Sequence, residues 1–247
     1  MENSILGIPT LPAFFSIFLL IYLFAYFVVF RNWGPKHRPE ASSCLISLAH
    51  GPTAAIMSMY SILHSHKAPT FASPNDTFQN TILEFSIAYF FLDLLHYLFF
   101  FPSDVLFILH HLATLYVFTT CRYVVHHGAY AILVLLFLAE ITSGCQNVWT
   151  LASYRRADSP AAAKLYDFLS PRFYVLYSVF RGFLGPLFMF KLGVFYASGA
   201  AEPKIPRWAW VSWMVVILIA IGLSILWVLN LWIDWHRRQR EEREEEQ

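Results

Sequence analysis

Seven stretches of this chain are long and apolar enough, or nearly so, to cross a lipid bilayer. They run roughly over 11–30, 43–63, 79–101, 104–121, 125–151, 171–196 and 208–233. A hydrocarbon core about 30 Å thick needs about 20 predominantly apolar residues in a helix. In lipid a lone segment must satisfy its own backbone hydrogen bonds, so runs of this kind predict helices. The fold class expected is all-α: a polytopic membrane bundle of about seven transmembrane helices.

Charge agrees with this. Charged residues make up 13% of the chain and apolar ones 57%, against about 25% charged in an ordinary soluble domain. A net charge of +1 gives nucleic-acid binding no support. Cys44, Cys121 and Cys145 sit on separate apolar runs, with the spacing of neither a disulfide framework nor a metal knot.

The runs differ in detail. The first follows Glu2 rather than a basic segment and has no small-residue cleavage site after it, so it reads as a retained helix and not a signal peptide. The second holds Ser47, His50, Gly51, Pro52 and Thr53, which predicts a kink. Pro102-Ser103-Asp104 reads as a tight turn in which Ser103 or Asp104 can cap the next helix. Trp208, Trp210, Trp232 and Trp235 bracket the last run, the pattern of an aromatic belt at the two interfaces. The tail "RRQREEREEEQ" is a solvated charge run, expected to fray or be disordered. The chain thus divides into an N-terminal helix and loop (1–39), a bundle (40–235) and a charged tail (236–247).

Loop charge predicts orientation. One set of loops and ends holds Arg31, Lys36, Arg38, Arg155, Arg156, Lys164, Arg172, Arg237, Arg238, Arg240 and Arg243; the other holds Lys67, Arg122, Lys204 and Arg207. The richer set is expected to be cytosolic. That places the C-terminus in the cytosol and the N-terminus in the lumen or outside, in a multi-pass protein of the endoplasmic reticulum or, alternatively, the plasma membrane. Asn75-Asp76-Thr77 is then a lumenal glycosylation sequon close to the bilayer.

Ionisable residues inside the runs include Glu84, Asp93, His96, His110, His111, Glu140, Arg181 and Lys191. A charge at a helix centre costs about 2.5 to 3.5 kcal/mol on insertion scales, so such groups should face the bundle interior. Spacing groups them. Asp93 and His96 share a face, as do His110, His111 and Thr114 within about two turns. Glu140, Ser143, Gly144 and Asn147 form one stripe, and Tyr174, Ser178, Arg181 and Gly185 another. Glu84 and Lys191 lie near run ends and are expected to snorkel. His126 and His127 read as surface residues.

A histidine–carboxylate cluster in a membrane suits two chemistries. Metal binding would use histidine boxes, but "HSH" at 64–66, "LHHL" and "VHHG" lack that spacing, so no metal and no resident cofactor is expected. Acyl transfer would use a neutral imidazole as base or nucleophile, oriented by a carboxylate.

Three segments, "YFFLDLLHYL", "LHHLATLYVF" and "LFLAEITSGCQNVWTL", resemble the core of the TLC domain, the family of the ceramide synthases and of several shorter, including plant, membrane proteins. The resemblance implies six helices around a lipid-holding cavity, after one preceding helix. It implies Asp93, His110, His111 and Glu140 as the catalytic set; His96, Thr114, Asn147 and Arg181, on the polar stripes, are the expected lipid contacts. Glu140 stands where the synthases carry the first Asp of a His-Asp…Ser-Asp stretch. Here that stretch reads Ala139-Glu140-Ile141-Thr142-Ser143, without the histidine or the second aspartate. This departure favours a role in binding lipid and in membrane lipid homeostasis. The alternative is an acyl-CoA-dependent acyltransferase acting on a long-chain base, with Arg155, Arg156 and Lys164 meeting the CoA phosphates. Membrane lipids are the expected partners in either case, acyl-CoA and a long-chain base in the second, and a homo-oligomer is left open.

Overall fold

A computed structural model describes residues 4–5, 8–64 and 69–245. Glu2, Lys67, the Ser65-His66 part of "HSH" and the last two residues of the tail lie outside the described residues. A short antiparallel pairing of Ser4–Ile5 (β1) with Ile8–Pro9 (β2) precedes the helices.

The helices are α1 (Thr10–Phe24), α2 (His37–Leu63), α3 (Thr77–Phe100), α4 (Val105–Thr119), α5 (Ala129–Glu140), α6 (Ser143–Arg155), α7 (Pro160–Tyr177), α8 (Gly185–Ala197) and α9 (Arg207–Glu245). Three π-helical turns extend or join them: Ala25–Val29 after α1, Thr120–Val125 after α4, and Ser178–Leu184 between α7 and α8.

The helices close a ring. α2 packs on α3, α3 on α4 and α4 on α9. The Ser178–Leu184 turn packs on α9, α5 packs on that turn and on α8, and α2 packs on α5 and α6. α1 lies outside the ring against α3 and α2. This is the expected arrangement of six helical segments after one preceding helix. α3 is the most enclosed of the candidate spans, with 67% of its apolar window buried. Its start is well defined: the Asp76 carboxylate accepts from the Gln79 backbone N–H at 2.8 Å, and the Gln79 side chain returns a bond to the Asp76 N–H at 3.1 Å. Such a capping box satisfies two donors that the first turn leaves unpaired.

Several details differ from the sequence expectation. Among the described residues six helical segments, not seven, are long and apolar enough to cross a membrane. The second run is the exception. α2 has 27 residues, ample length, but it packs on α1, α3, α5 and α6, so its polar Ser42, Ser43, His50 and Ser58 are buried in protein and lipid does not select against them. The fifth run breaks into α5 and α6 at Ile141–Thr142. There the Ser143 hydroxyl donates to the Glu140 carbonyl at 2.8 Å, offering the backbone a partner other than the helix ladder. The sixth begins at Pro160, behind Ser159 at the N-cap, where proline's missing N–H costs nothing. Asp104 takes the N-cap position of α4 without a side-chain cap bond; the turn closes through its backbone N–H, which donates to the Phe101 carbonyl at 2.9 Å.

Glu84 does not snorkel. It is buried, and its carboxylate accepts from Arg122 Nε at 2.7 Å and from the Thr10 hydroxyl. Lys191 is exposed, as is His126, whereas His127 is half-buried in a bridge with Pro74. Of the four tryptophans around α9, Trp208 is exposed, while Trp210 stacks on Tyr196, Trp232 donates to the Ser178 hydroxyl at 2.9 Å and Trp235 packs on Tyr174. The charged tail continues α9 as helix to Glu245. Arg237 and Glu241, and Arg240 and Glu244, stand four apart, a spacing that supports a helix on its own surface. The Asn75 side chain is a staple: its amide donates to the Cys121 carbonyl at 3.0 Å and its oxygen accepts from the Ala129 N–H at 2.9 Å.

Candidate functional site

The ring encloses two adjoining chambers. One, of about 310 Å³, lies toward the ends of α3, α4 and α6 that meet the basic loops. Asp93, His111, Glu140, Asn147 and Tyr177 are among its lining, so its wall is mixed polar and aromatic. The other, of about 150 Å³, continues along the inner faces of α4, α5 and α9. Val117, Ile132, Leu136, Val216 and Ile217 give it an aliphatic wall. Phe90, His110, Glu140 and Arg181 line both chambers and so mark their junction.

At the junction the two adjacent histidines behave differently. Neighbouring residues on a helix point about 100° apart, so only one of a pair can face a given neighbour. His111 is buried and bonded on both ring nitrogens: Nδ1 lies 2.7 Å from the Phe107 carbonyl and Nε2 lies 2.9 Å from Asp93 Oδ2. A carbonyl only accepts, so Nδ1 carries a proton. The proton between Nε2 and Asp93 then completes either an imidazolium–carboxylate or an imidazole–carboxylic acid pair. In both forms His111 has no lone pair to offer. The Ser43 hydroxyl donates to Asp93 Oδ1 at 2.6 Å, so each Asp93 oxygen has a hydrogen-bond partner. A buried carboxylate without such partners would be strongly destabilised.

His110 has the opposite circumstances. Its ring faces both chambers, edge-on to His111 at 5.7 Å between centroids, and no described group hydrogen-bonds its nitrogens. A neutral His110 therefore keeps a free lone pair where the polar and apolar spaces meet.

Glu140 ends α5 and Arg181 sits in the Ser178–Leu184 turn. Both line the junction, yet they form no ion pair with each other. Arg181 donates through Nη2 to the Ala139 carbonyl at 2.7 Å, lies over the Tyr177 ring at 5.0 Å and leaves its buried Nε without a partner. Glu140 has fully buried His50 beside it, with Nδ1 3.9 Å from Oε2, too far for a hydrogen bond. The His50 ring is stacked on Tyr89 at 4.0 Å and anchored by the Ser86 hydroxyl, 3.0 Å from Nε2. α2 comes this close because residue 51 is glycine. A Cβ there would collide with the Ser143 hydroxyl and lie 2.8 Å from Glu140 Oε2.

Of the residues singled out from sequence, Asp93, His110, His111, Glu140, Asn147 and Arg181 line the polar chamber, and Thr114 lines the apolar one. Asn147 is held by donating to the Ser47 hydroxyl and the Ser143 carbonyl, both at 2.8 Å. Thr114 turns its hydroxyl back to the His110 carbonyl at 2.9 Å. His96 does not join them. It lines neither chamber and instead pairs through Nδ1 with the Tyr22 hydroxyl at 2.9 Å, tying α1 to the ring. Arg155 and Arg156 also turn away, lying over the Trp33 and Tyr166 rings. From sequence Ser47 and His50 read only as signs of a kink and Ser43 as no signal at all, although the three stand at i, i+4 and i+7 on α2, the same spacing that revealed the other stripes.

Comparison with known proteins agrees with the architecture. The chain is 58% identical over 231 residues to the TLC domain-containing protein At5g14285 of Arabidopsis thaliana, covering 93% of this chain and 91% of that protein. No solved structure matches it. The family model for the TLC domain matches residues 40–233, the six ring segments without the first helix. A membrane helical bundle with this match over most of its length, and a relative this similar, belongs to the TLC domain family.

Proposed function

We propose that this protein holds a membrane lipid in its two-chamber cavity, with the polar part among His110, Glu140 and Arg181 and an alkyl chain in the apolar chamber, and that it acts in membrane lipid homeostasis. The observation that carries the reading is the shared junction: a polar and an aliphatic space meet at His110, Glu140 and Arg181, where the His110 ring and the Arg181 Nε have no hydrogen-bond partner among the described residues. An amphiphile has the same division along its length. Binding sites of this kind combine apolar walls with a few well-placed polar groups. The test is to purify the full chain from membranes and identify retained lipid by native mass spectrometry. A stoichiometric amphiphile lost on His110→Ala with Arg181→Gln is expected; a wild-type protein that retains none would refute the reading.

A second reading, acyl transfer to a lipid amine or hydroxyl, is favoured by one observation. His110 presents an unbonded imidazole at the junction, placed to take the proton of an attacking acceptor. His111 would then be a positioning residue, since its nitrogens are occupied. Loss of a general base lowers turnover by about 10²-fold or more. Acyl transfer by the wild type that disappears in His110→Ala would establish this reading over simple holding.

The proposed orientation has the basic loops in the cytosol of an endoplasmic reticulum protein. An acceptor loop inserted beside Asn75 should be glycosylated in microsomes, and one added after Gln247 should not. Native Asn75 should stay unmodified, because both ends of its amide are engaged in the fold.

A further inference from the structure

The charge on the polar chamber's wall identifies the headgroup it suits. Four carboxylates line it, Glu40, Asp93, Asp104 and Glu140, against one guanidinium, Arg181, and the two histidines. Asp93 is matched by His111. Glu40 and Asp104 belong to the ends of α2 and α4 that meet the basic loops, and so stand away from the junction. Glu40 Oε2 lies 3.4 Å from His37 Nδ1, and Asp104 is exposed. The abundant basic residues of this end do not enter. Arg38 donates to the Arg31 and Trp33 carbonyls, Arg155 lies over Trp33 and Arg156 over Tyr166.

Aromatic rings complete the wall. Tyr97, Phe107 and Trp227 form a continuous stack along it, with ring centroids 5.2 Å and 5.3 Å apart, and Tyr154 stands at the same end as Glu40. Carboxylates attract an ammonium group by Coulomb force, and the stacked rings beside them give the carbons around that nitrogen an apolar surface. The sole guanidinium lies deeper, at the junction, with a buried Nε that has no partner. Asp104 and His110 stand six positions apart along α4 and its N-cap, a rise of about 9 Å, which leaves room for a headgroup between the two regions.

We propose that the ligand is a zwitterionic phospho-ammonium lipid: its ammonium among Glu40, Asp104 and the aromatic stack, its phosphate at Arg181 and His110, and one alkyl chain in the apolar chamber. This rests on the lipid-holding reading above and adds the class of headgroup. The same wall opposes polyanionic amphiphiles. The phosphates of an acyl-CoA would meet carboxylates at Glu40 and Asp104, and among the described residues Arg181 is the one lysine or arginine that lines the chamber.

The test measures binding of three amphiphiles with the same acyl chain to the purified, delipidated full chain: lysophosphatidylcholine, lysophosphatidylglycerol and the acyl-CoA. The choline lipid is expected to bind at least about ten-fold more tightly than either anion. Glu40→Gln with Asp104→Asn should reduce that preference several-fold while leaving the thermal unfolding temperature close to wild type. Arg181→Gln should weaken the choline lipid itself. Equal or tighter binding of lysophosphatidylglycerol or acyl-CoA, or a preference unchanged in the Glu40/Asp104 variant, overturns the headgroup assignment and leaves lipid holding standing. Binding of none of the three overturns the lipid-holding reading and this assignment with it.

Discussion

Two glutamate–arginine sets lie inside this bundle, and they are built in opposite ways. Glu84 and Arg122 are closed on each other: Arg122 Nη2 is 2.6 Å and Nε 2.7 Å from the same carboxylate oxygen, and the Thr10 hydroxyl takes the other. Glu140 and Arg181 face one cavity without touching. Both arginines sit in π-helical turns, Thr120–Val125 and Ser178–Leu184. Such turns interrupt the regular ladder and recur at functional sites, so the turn alone does not tell the two apart. What differs is completion. Intramembrane charges are expensive enough that a fold normally pairs them. The first set obeys, and it joins α1, α3 and the end of α4. The second leaves its two groups apart and the Arg181 Nε without a hydrogen-bond partner, at the place where the two chambers meet.

Breaking the closed set should have the largest effect on stability. Arg122→Gln leaves Glu84 buried without its cation, and loss of one partner of a buried pair costs about 3–5 kcal/mol. Thermal unfolding in detergent should fall sharply, whereas Glu84→Met with Arg122→Met together should recover much of the loss. A double variant as unstable as Arg122→Gln would mean that the pair does more than satisfy itself.

The Asp93 clamp comes next. Asp93→Ala strands the Ser43 hydroxyl and His111 Nε2, and unsatisfied buried groups of this kind cost about 1–3 kcal/mol, more where charge is involved. Gly51→Ala should be of similar size, because the added methyl would lie 2.9 Å from Ser143 Cβ and overpacking costs about 1–3 kcal/mol. It should also displace Glu140 and so weaken lipid retention, which an overpacked site remote from the cavity would not do. Unchanged retention in a destabilised Gly51→Ala would separate Glu140 from the lipid.

His110→Ala should have the smallest effect on stability, under about 1 kcal/mol, since the ring makes no hydrogen bond whose partner would be stranded. Its effect should fall on bound lipid instead. A large drop in unfolding temperature would contradict the reading of His110 as a group held free for a ligand.

Much of this was legible from spacing. Helical periodicity brought Glu140 and Asn147 to one face and identified Asp93 and His111 as neighbours of a common interior. It failed where a face is shared by two destinations. Asp93 and His96 stand three apart, yet the first turns to His111 and the second to Tyr22 on α1. Tyr174 and Ser178 similarly pack on the tryptophans of α9, whereas Arg181 and Gly185 reach the cavity, because the π turn between them shifts the register. Glu84 was misjudged because its position near a helix end suggested water, and nothing local in the sequence reveals that Arg122, thirty-eight residues away, folds back onto it. The polar face of α2 was readable by the same rule, but its scattered serines looked like a weak span rather than a lining.

The central claim is that the closed set holds the fold and the open set holds a lipid. The direct measurement is the shift in unfolding temperature when a saturating zwitterionic lysophospholipid is added to delipidated protein. A ligand at 100 times its dissociation constant stabilises the folded state by about 2.7 kcal/mol, so the wild type should rise by several degrees. Arg122→Gln should start well below the wild type and keep the rise; Arg181→Gln should start less far below it, by about 1–3 kcal/mol for its lost contact with the Ala139 carbonyl, and lose most of the rise. A rise retained in Arg181→Gln, or lost in Arg122→Gln while that variant remains folded, would contradict the account.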